Sequence, residues 1–156
     1  MKFFKFGRAS KPETPEESPT DSGEFLMPTH PAPPGSTVVM LVEDEPALRT
    51  LFGGALRAAG YYVTEARNGL EGLKAAQTAG RVDLVVTDLV MPFMTGAELA
   101  QKLRETHPET PFIFVSAFMV DEMVGRNSHL LHKPFSATTL VAKVREVIGP
   151  PAVAAK

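Results

Sequence analysis

The chain has 156 residues, of which 44% are hydrophobic and 22% charged, enough for one ordinary globular domain and a tail but not for a second folded domain. Its formal net charge of -2 argues against non-specific nucleic-acid binding, and the absence of cysteine excludes disulfides, thiolate catalysis and zinc-thiolate sites. No apolar run approaches membrane-spanning length, and the start MKFFKFGR breaks its apolar stretch at Lys5, so no signal-peptide core is present and a cytoplasmic protein is expected.

The first segment, residues 1–36, is a leader. Between Arg8 and Ser36 it holds Pro12, Pro15, Pro19, Pro28, Pro31, Pro33 and Pro34 among Glu, Ser and Thr. Such a composition buries too little apolar surface to offset its ordering entropy, which predicts a disordered, partly extended chain. Residues 1–6 read as a frayed end, with a docking peptide or weak membrane contact as the functional alternative.

From Thr37 the pattern changes to short apolar runs alternating with helix-period segments. Residues 38–42, 84–86 and 112–115 are continuous apolar runs of strand length, as expected for parallel strands covered on both faces. Residues 62–65 alternate and predict an edge strand, while Leu130 and Leu131 mark a short fifth strand. Helical spacing links Leu48, Leu51, Phe52, Ala55, Leu56 and Ala59; then Leu99, Ala100 and Leu103; then Leu140, Val141, Val144, Val147 and Ile148. Gly60, Gly80 and Gly149 stand where a left-handed residue ends a helix. The array is βαβαβαβαβ, which implies an α/β fold: a doubly wound five-stranded parallel sheet in the flavodoxin-like order 2-1-3-4-5. Residues 37–149 form this domain, and residues 150–156 a flexible tail.

Polar residues with chemical potential follow the apolar strands: Glu43 and Asp44 after the first, Asp88 after the third, Ser116 after the fourth and Lys133 after the fifth. In a parallel sheet these ends share one edge, where ligands bind in this architecture. Glu43, Asp44 and Asp88 contribute -3 and Lys133 +1, leaving -2 in one cleft. Clustered carboxylates raise one another's pKa unless compensated, and an all-oxygen donor set calls for Mg²⁺ or Mn²⁺ rather than zinc. Any one of these acids alone reads more readily as a helix cap, with Asp44 or Glu45 ahead of Pro46 in capping position, and only the convergence of the segments reverses that reading. A carboxylate beside such an ion can attack phosphorus, and Asp88, alone at the end of a central strand, is the candidate nucleophile. Ser116 and Lys133 would donate hydrogen bonds to the new phosphoryl oxygens.

The strings VEDEP at 42–46, DLVMPFMTGAEL at 88–99, FVSA at 114–117 and HKPF at 132–135 resemble the receiver domains of two-component signalling. The resemblance covers residues 37–149 and implies a CheY-like fold with Asp88 as phosphoacceptor. It also implies Mg²⁺ held by Glu43, Asp44, Asp88 and the Val90 backbone carbonyl, a cis Lys133-Pro134 bond, and phosphate contacts from Ser116 and Lys133. The phosphodonor it implies is a histidine kinase or phosphotransfer protein, with no nucleic-acid partner and an output by docking, phosphate shuttling or phosphate sinking. Two departures stand out. Leu130 replaces the aromatic switch residue of many receivers, and Ser116 and Lys133 are only 133 - 116 = 17 positions apart, so a fourth helix within residues 120–126 must be short or irregular.

Rival functions fit less well. An aspartyl-phosphate hydrolase calls for a second acid two residues after the nucleophile, where Val90 stands; a flavodoxin calls for a phosphate-cradling loop, where Glu43, Asp44 and Glu45 would repel phosphate. A phosphorylation-independent pseudo-receiver is opposed by the intact acids, Ser116 and Lys133. His30, His107, His129 and His132 have no relay or metal spacing, and Met91, Met94, Met119 and Met123 read as a docking rim or as core filling.

Overall fold

The computed structural model describes residues 31–118 and 125–152. The order is β1 (Val38–Val42), α1 (Pro46–Ala58), β2 (Tyr62–Ala66), α2 (Gly69–Ala79), β3 (Leu84–Asp88), α3 (Gly96–Thr106), β4 (Phe112–Ser116), β5 (Ser128–His132) and α4 (Ala137–Ile148). All strand pairs are parallel and the sheet runs β2-β1-β3-β4-β5, the expected doubly wound order, with residues 62–65 on an edge strand as their alternation predicted. The leader's residues 1–30, the tail's residues 153–156 and most of the span expected to hold a short fourth helix, residues 119–124, lie outside the described residues.

Strand alternation sends successive side chains to opposite layers. Met40, Val42, Val85, Phe112 and Phe114 pack with Leu99, Ala100 and Leu103 of α3 and with Ala75 and Ala76 of α2. Val39, Leu41, Leu84, Val86, Ile113 and Val115 face Phe52 and Leu56 of α1 and Leu140 and Val144 of α4. β1, β3 and β4 are buried along their whole length, which is why they read as unbroken apolar runs. The fifth strand is longer than its two leucines suggested: Ser128, His129 and His132 extend it, since an edge strand exposes polar side chains while its backbone pairs with β4.

Local chemistry sets the helix ends. Pro46 opens α1, and Glu45 occupies the capping position without a side-chain bond. Asn68 and Ser136 accept from Glu71 N and Thr139 N, and Thr95 and Glu98 form a reciprocal capping box that starts α3. Gly60, Gly80 and Gly149 follow their helices with φ of 102°, 70° and 79°, the left-handed region expected of them. At the edge remote from the C-terminal strand ends, Tyr61 Oη donates to Gly149 O at 2.8 Å, tying the end of α4 to the start of β2, and Ala152 N donates to Thr37 Oγ1 at 2.8 Å, tying the following residues to the start of β1.

Candidate phosphoacceptor site

The C-terminal ends of β1, β3, β4 and β5 bring Glu43, Asp44, Asp88, Ser116 and Lys133 to one edge. Asp88 is the last residue of β3 and still pairs with Val115 in the ladder, so its backbone is rigid while its side chain stands at the pocket floor. Lys133 Nζ donates to Asp88 Oδ2 at 2.7 Å, and Val90 N donates to Asp88 Oδ1 at 3.0 Å, so both carboxylate oxygens have fixed directions. Ser116 Oγ accepts from Phe118 N at 3.0 Å, which leaves the hydroxyl proton to donate elsewhere, and Ser116 O accepts from Lys133 N at 2.9 Å. Lys133 is thus tied by its backbone to Ser116 and by its ammonium to Asp88. The Lys133-Pro134 bond is cis, as the resemblance implied, and Phe135 stacks on Phe52 of α1 at 5.1 Å, anchoring this loop.

Glu43, Asp44 and Asp88 each present a carboxylate oxygen, and these oxygens lie within 4.8 Å of one another. An octahedral Mg²⁺ with bonds of about 2.1 Å spans oxygen pairs roughly 3 to 4 Å apart, so the three acids fit such an ion with small closure. Glu43 and Asp88 are buried and Asp44 is exposed, a pocket with one open side through which water can complete the coordination. Burial pushes the Glu43 carboxyl up to about 7, assisted by a hydrogen bond with Asp44 and the charge of Asp88 and opposed by the Glu45 amide and Lys133. Burial alone would lower the Lys133 ammonium, but the hydrogen bond and charge of Asp88 overcome it and hold the group above its usual value. Burial thus makes Glu43 a much weaker acid than an exposed glutamate, while Asp88 keeps Lys133 in its charged form.

Two residues essential to this geometry had no role assigned from the sequence: Arg49, outside the quoted strings, and Gly96, within DLVMPFMTGAEL. Arg49 of α1 is buried, with Nη1 donating to Glu43 O at 2.9 Å, and it holds the acid-bearing loop after β1 against the helix. It also faces Glu71, whose carboxyl is raised by burial but held below its ordinary value overall by Arg67 hydrogen bonds and the charges of Arg67 and Arg49. Gly96 opens α3 against the end of β3, where a Cβ would overlap the carbonyl oxygen of Asp88. Only glycine lets the α3 start approach the phosphoacceptor backbone so closely. The predicted Asp44 or Glu45 cap makes no side-chain bond at the start of α1; Glu43 Oε1 instead accepts from Glu45 N at 3.1 Å.

The family model for the response regulator receiver domain matches residues 39–145. The chain belongs to the response regulator receiver family. The receiver is 44% identical over 121 residues to the sensor kinase CckA of Brucella abortus, covering 73% of this chain and 13% of that protein. It is 32% identical over 115 residues to the response regulator receiver protein CpdR of Brucella abortus, covering 70% of this chain and 95% of that protein. Among solved structures, the chemotaxis protein CheY4 of Vibrio cholerae shares a TM-score of 0.66 at 32% identity, covering 71% of this chain and 98% of that one. The receiver domain from the hybrid histidine kinase CckA gives 0.64 at 34% identity, with 71% and 98% covered. The receiver spans a small part of the sensor kinase and half the length of transcriptional regulators such as YkoG of Bacillus subtilis.

Leu130, at the usual aromatic switch position, lies mid-way along β5 and packs partly buried against the α2/α3 layer. Met91 is buried and fills that core, whereas Met94 lies half-exposed against the start of α2; Met119 and Met123 lie outside the described residues. His107 and His129 are half-buried, His132 is exposed, and His30 is outside the described residues. Among the described residues, the only acid or histidine cluster suited to a metal is the one containing Asp88, and no helix is long and apolar enough to cross a membrane.

Proposed function

We propose that this receiver accepts a phosphoryl group from a histidine kinase or phosphotransfer protein onto Asp88, in the cytoplasm and with Mg²⁺ or Mn²⁺ held by Glu43, Asp44, Asp88 and the Val90 carbonyl. The observation that carries the reading is the Asp88 carboxylate at a rigid strand end, oriented by Lys133 at 2.7 Å inside a triad of carboxylates. An Asp88 oxygen forms the new O–P bond as the P–N bond of the phosphohistidine breaks, and the departing imidazole nitrogen keeps the electron pair. A divalent cation supplies neutralisation of the phosphoryl charge. Lys133 and the Ser116 hydroxyl donate to phosphoryl oxygens, so the residues that now hold the pocket together become the clamp on its product.

Catalysis on this reading is confined to the protein's own phosphorylation and dephosphorylation, and the output is a change in docking, a phosphate shuttle or a phosphate sink. CpdR, 95% of whose length the receiver covers, is itself described as a response regulator receiver protein, which supports a phosphorylation-linked regulatory role. Incubation with a radiolabelled, autophosphorylated histidine kinase tests the proposal. Label should move to the wild-type chain with Mg²⁺, not with excess EDTA, and not to Asp88→Asn. Equal transfer to that variant would end the reading.

A further inference from the structure

The peptide bond between Glu43 and Asp44 joins two of the three acids of the pocket, and because a peptide is planar its C=O and N–H turn together. Rotation of that plane changes ψ of Glu43 and φ of Asp44 at once, and so changes the angle between the two side chains that flank it. The carboxylate oxygens of Glu43, Asp44 and Asp88 lie within 4.8 Å of one another, and a working site tolerates only about 0.5 Å and 10–20° of misplacement. What holds this plane is therefore part of the site.

Upstream, the Glu43 amide donates to Ala66 O at 3.0 Å, which carries the contact of β1 with β2 one residue further. Downstream, Arg49 N donates to Glu45 O at 2.9 Å and begins the α1 ladder. Between these fixed points, the hydrogen bond that holds the Glu43–Asp44 peptide among the described residues runs from Arg49 Nη1 to Glu43 O at 2.9 Å. The Arg49 side chain reaches back over the first turn of its own helix to a carbonyl six positions earlier.

That placement is costly for folding. Arg49 is 8% exposed and stands near the N-terminal end of α1, where desolvation and the helix dipole both oppose a cation. Glu71 offsets part of the cost: its carboxylate, fixed by Arg67 N at 2.9 Å and Arg67 Nε at 3.0 Å, lies near enough for the Arg49 charge to act on it. An apolar side chain of similar length would fill the same space without either penalty, so stability alone does not account for a guanidinium here.

We propose that Arg49 is a positioning residue for the divalent-cation site: by holding the Glu43–Asp44 peptide it fixes the angle between those two carboxylates and so raises affinity for Mg²⁺. The proposal rests on the reading of the acid triad as a cation site. Its sign is distinctive. A guanidinium beside a divalent cation repels it, so loss of the charge alone tightens Mg²⁺ binding, whereas loss of the hydrogen bond weakens it.

Titration of the full-length ¹⁵N-labelled chain with Mg²⁺, followed through amide shifts, measures affinity without any phosphodonor. Arg49→Met should weaken Mg²⁺ binding by roughly tenfold or more, the usual effect of removing a group that orients a metal ligand. Arg49→Lys, which keeps the charge and a donor, should recover part of that loss. In the metal-free protein, Arg49→Met should shift the amides of Glu43, Asp44 and Glu45 and leave those of residues 84–86 and 112–115 in place. The proposal is overturned if Arg49→Met binds Mg²⁺ as tightly as wild type or more tightly, or if Arg49→Lys binds no better than Arg49→Met. It is also overturned if weaker binding comes with shifts throughout residues 84–86 and 112–115, which would assign the loss to general unfolding. Wild-type protein that binds no Mg²⁺ would overturn the proposal together with the reading it rests on, whereas tight wild-type binding with an unaffected Arg49→Met would end this proposal alone.

Discussion

Glu43 provides the sharpest link between burial and function. Its side chain is buried beside two other acids, and burial, ahead of the Asp44 hydrogen bond and the Asp88 charge, raises its carboxyl to about 7 in the metal-free protein. A divalent cation binds the carboxylate and must displace that proton, so apparent affinity scales with the ionised fraction. For a pKa near 7, that fraction is ~0.1 at pH 6 and ~0.9 at pH 8, so Mg²⁺ should bind about tenfold tighter at pH 8 and release about half a proton per ion at pH 7. The sign for folding is the reverse. Metal-free folded protein holds a proton that the unfolded chain releases near the ordinary glutamate value, so stability without metal falls as pH rises from about 4.5 to about 7. Isothermal titration in two buffers of different ionisation enthalpy measures both affinity and proton release. Glu43→Gln should bind Mg²⁺ weakly and lose the pH dependence. Equal affinity for the wild type at pH 6 and pH 8, or the same slope in Glu43→Gln, would refute the reasoning.

Further outcomes follow from named contacts. Val90 and Phe118, 65% and 66% exposed two positions beyond Asp88 and Ser116, have no side-chain group to orient a hydrolytic water, so self-dephosphorylation should be slow; a Val90→Asn, Phe118→Glu double variant should lose phosphate several-fold faster, followed by loss of acid-labile label, and an unchanged rate would count against this role. Gly96→Ala places a methyl on the Asp88 carbonyl and should cost at least 1–3 kcal/mol by urea unfolding while slowing phosphorylation by small phosphodonors, as expected of overpacking against backbone; a variant with wild-type stability and rate would show that the approach is not tight. Phe112→Ala removes a fully buried ring that stacks on Phe114 at 5.6 Å beneath the Arg104 guanidinium, and should cost about 3–5 kcal/mol in the same assay, against which a loss under about 1 kcal/mol would speak.

Much of this was legible before the fold was seen, for physical reasons. Strands covered on both faces leave unbroken apolar runs, so β1, β3 and β4 were located to within two residues, and parallel order follows from the crossover rule. Asp88 and Ser116 themselves belong to strands, which propensity disfavours; the ladder from β3 to β4 overrides it. The extent of β5 was hidden because Ser128, His129 and His132 present polar groups at an edge. The roles of Arg49, and of Gly96 within the 88–99 string, were hidden for another reason: each depends on a backbone carbonyl brought near it by folding, Glu43 O and Asp88 O. The reverse holds for Lys133, where a single charged residue after a short apolar pair was recognisable because the strand end fixes where it points.

The most direct test of the account is to locate the phosphoryl group. The full chain is phosphorylated by a histidine kinase with Mg²⁺, reduced with borohydride to convert any aspartyl phosphate to homoserine, and mapped by peptide mass spectrometry. The account predicts homoserine at position 88, dependent on Mg²⁺ and absent from Asp88→Asn. Modification at another residue, or at position 88 without a divalent cation, would contradict it.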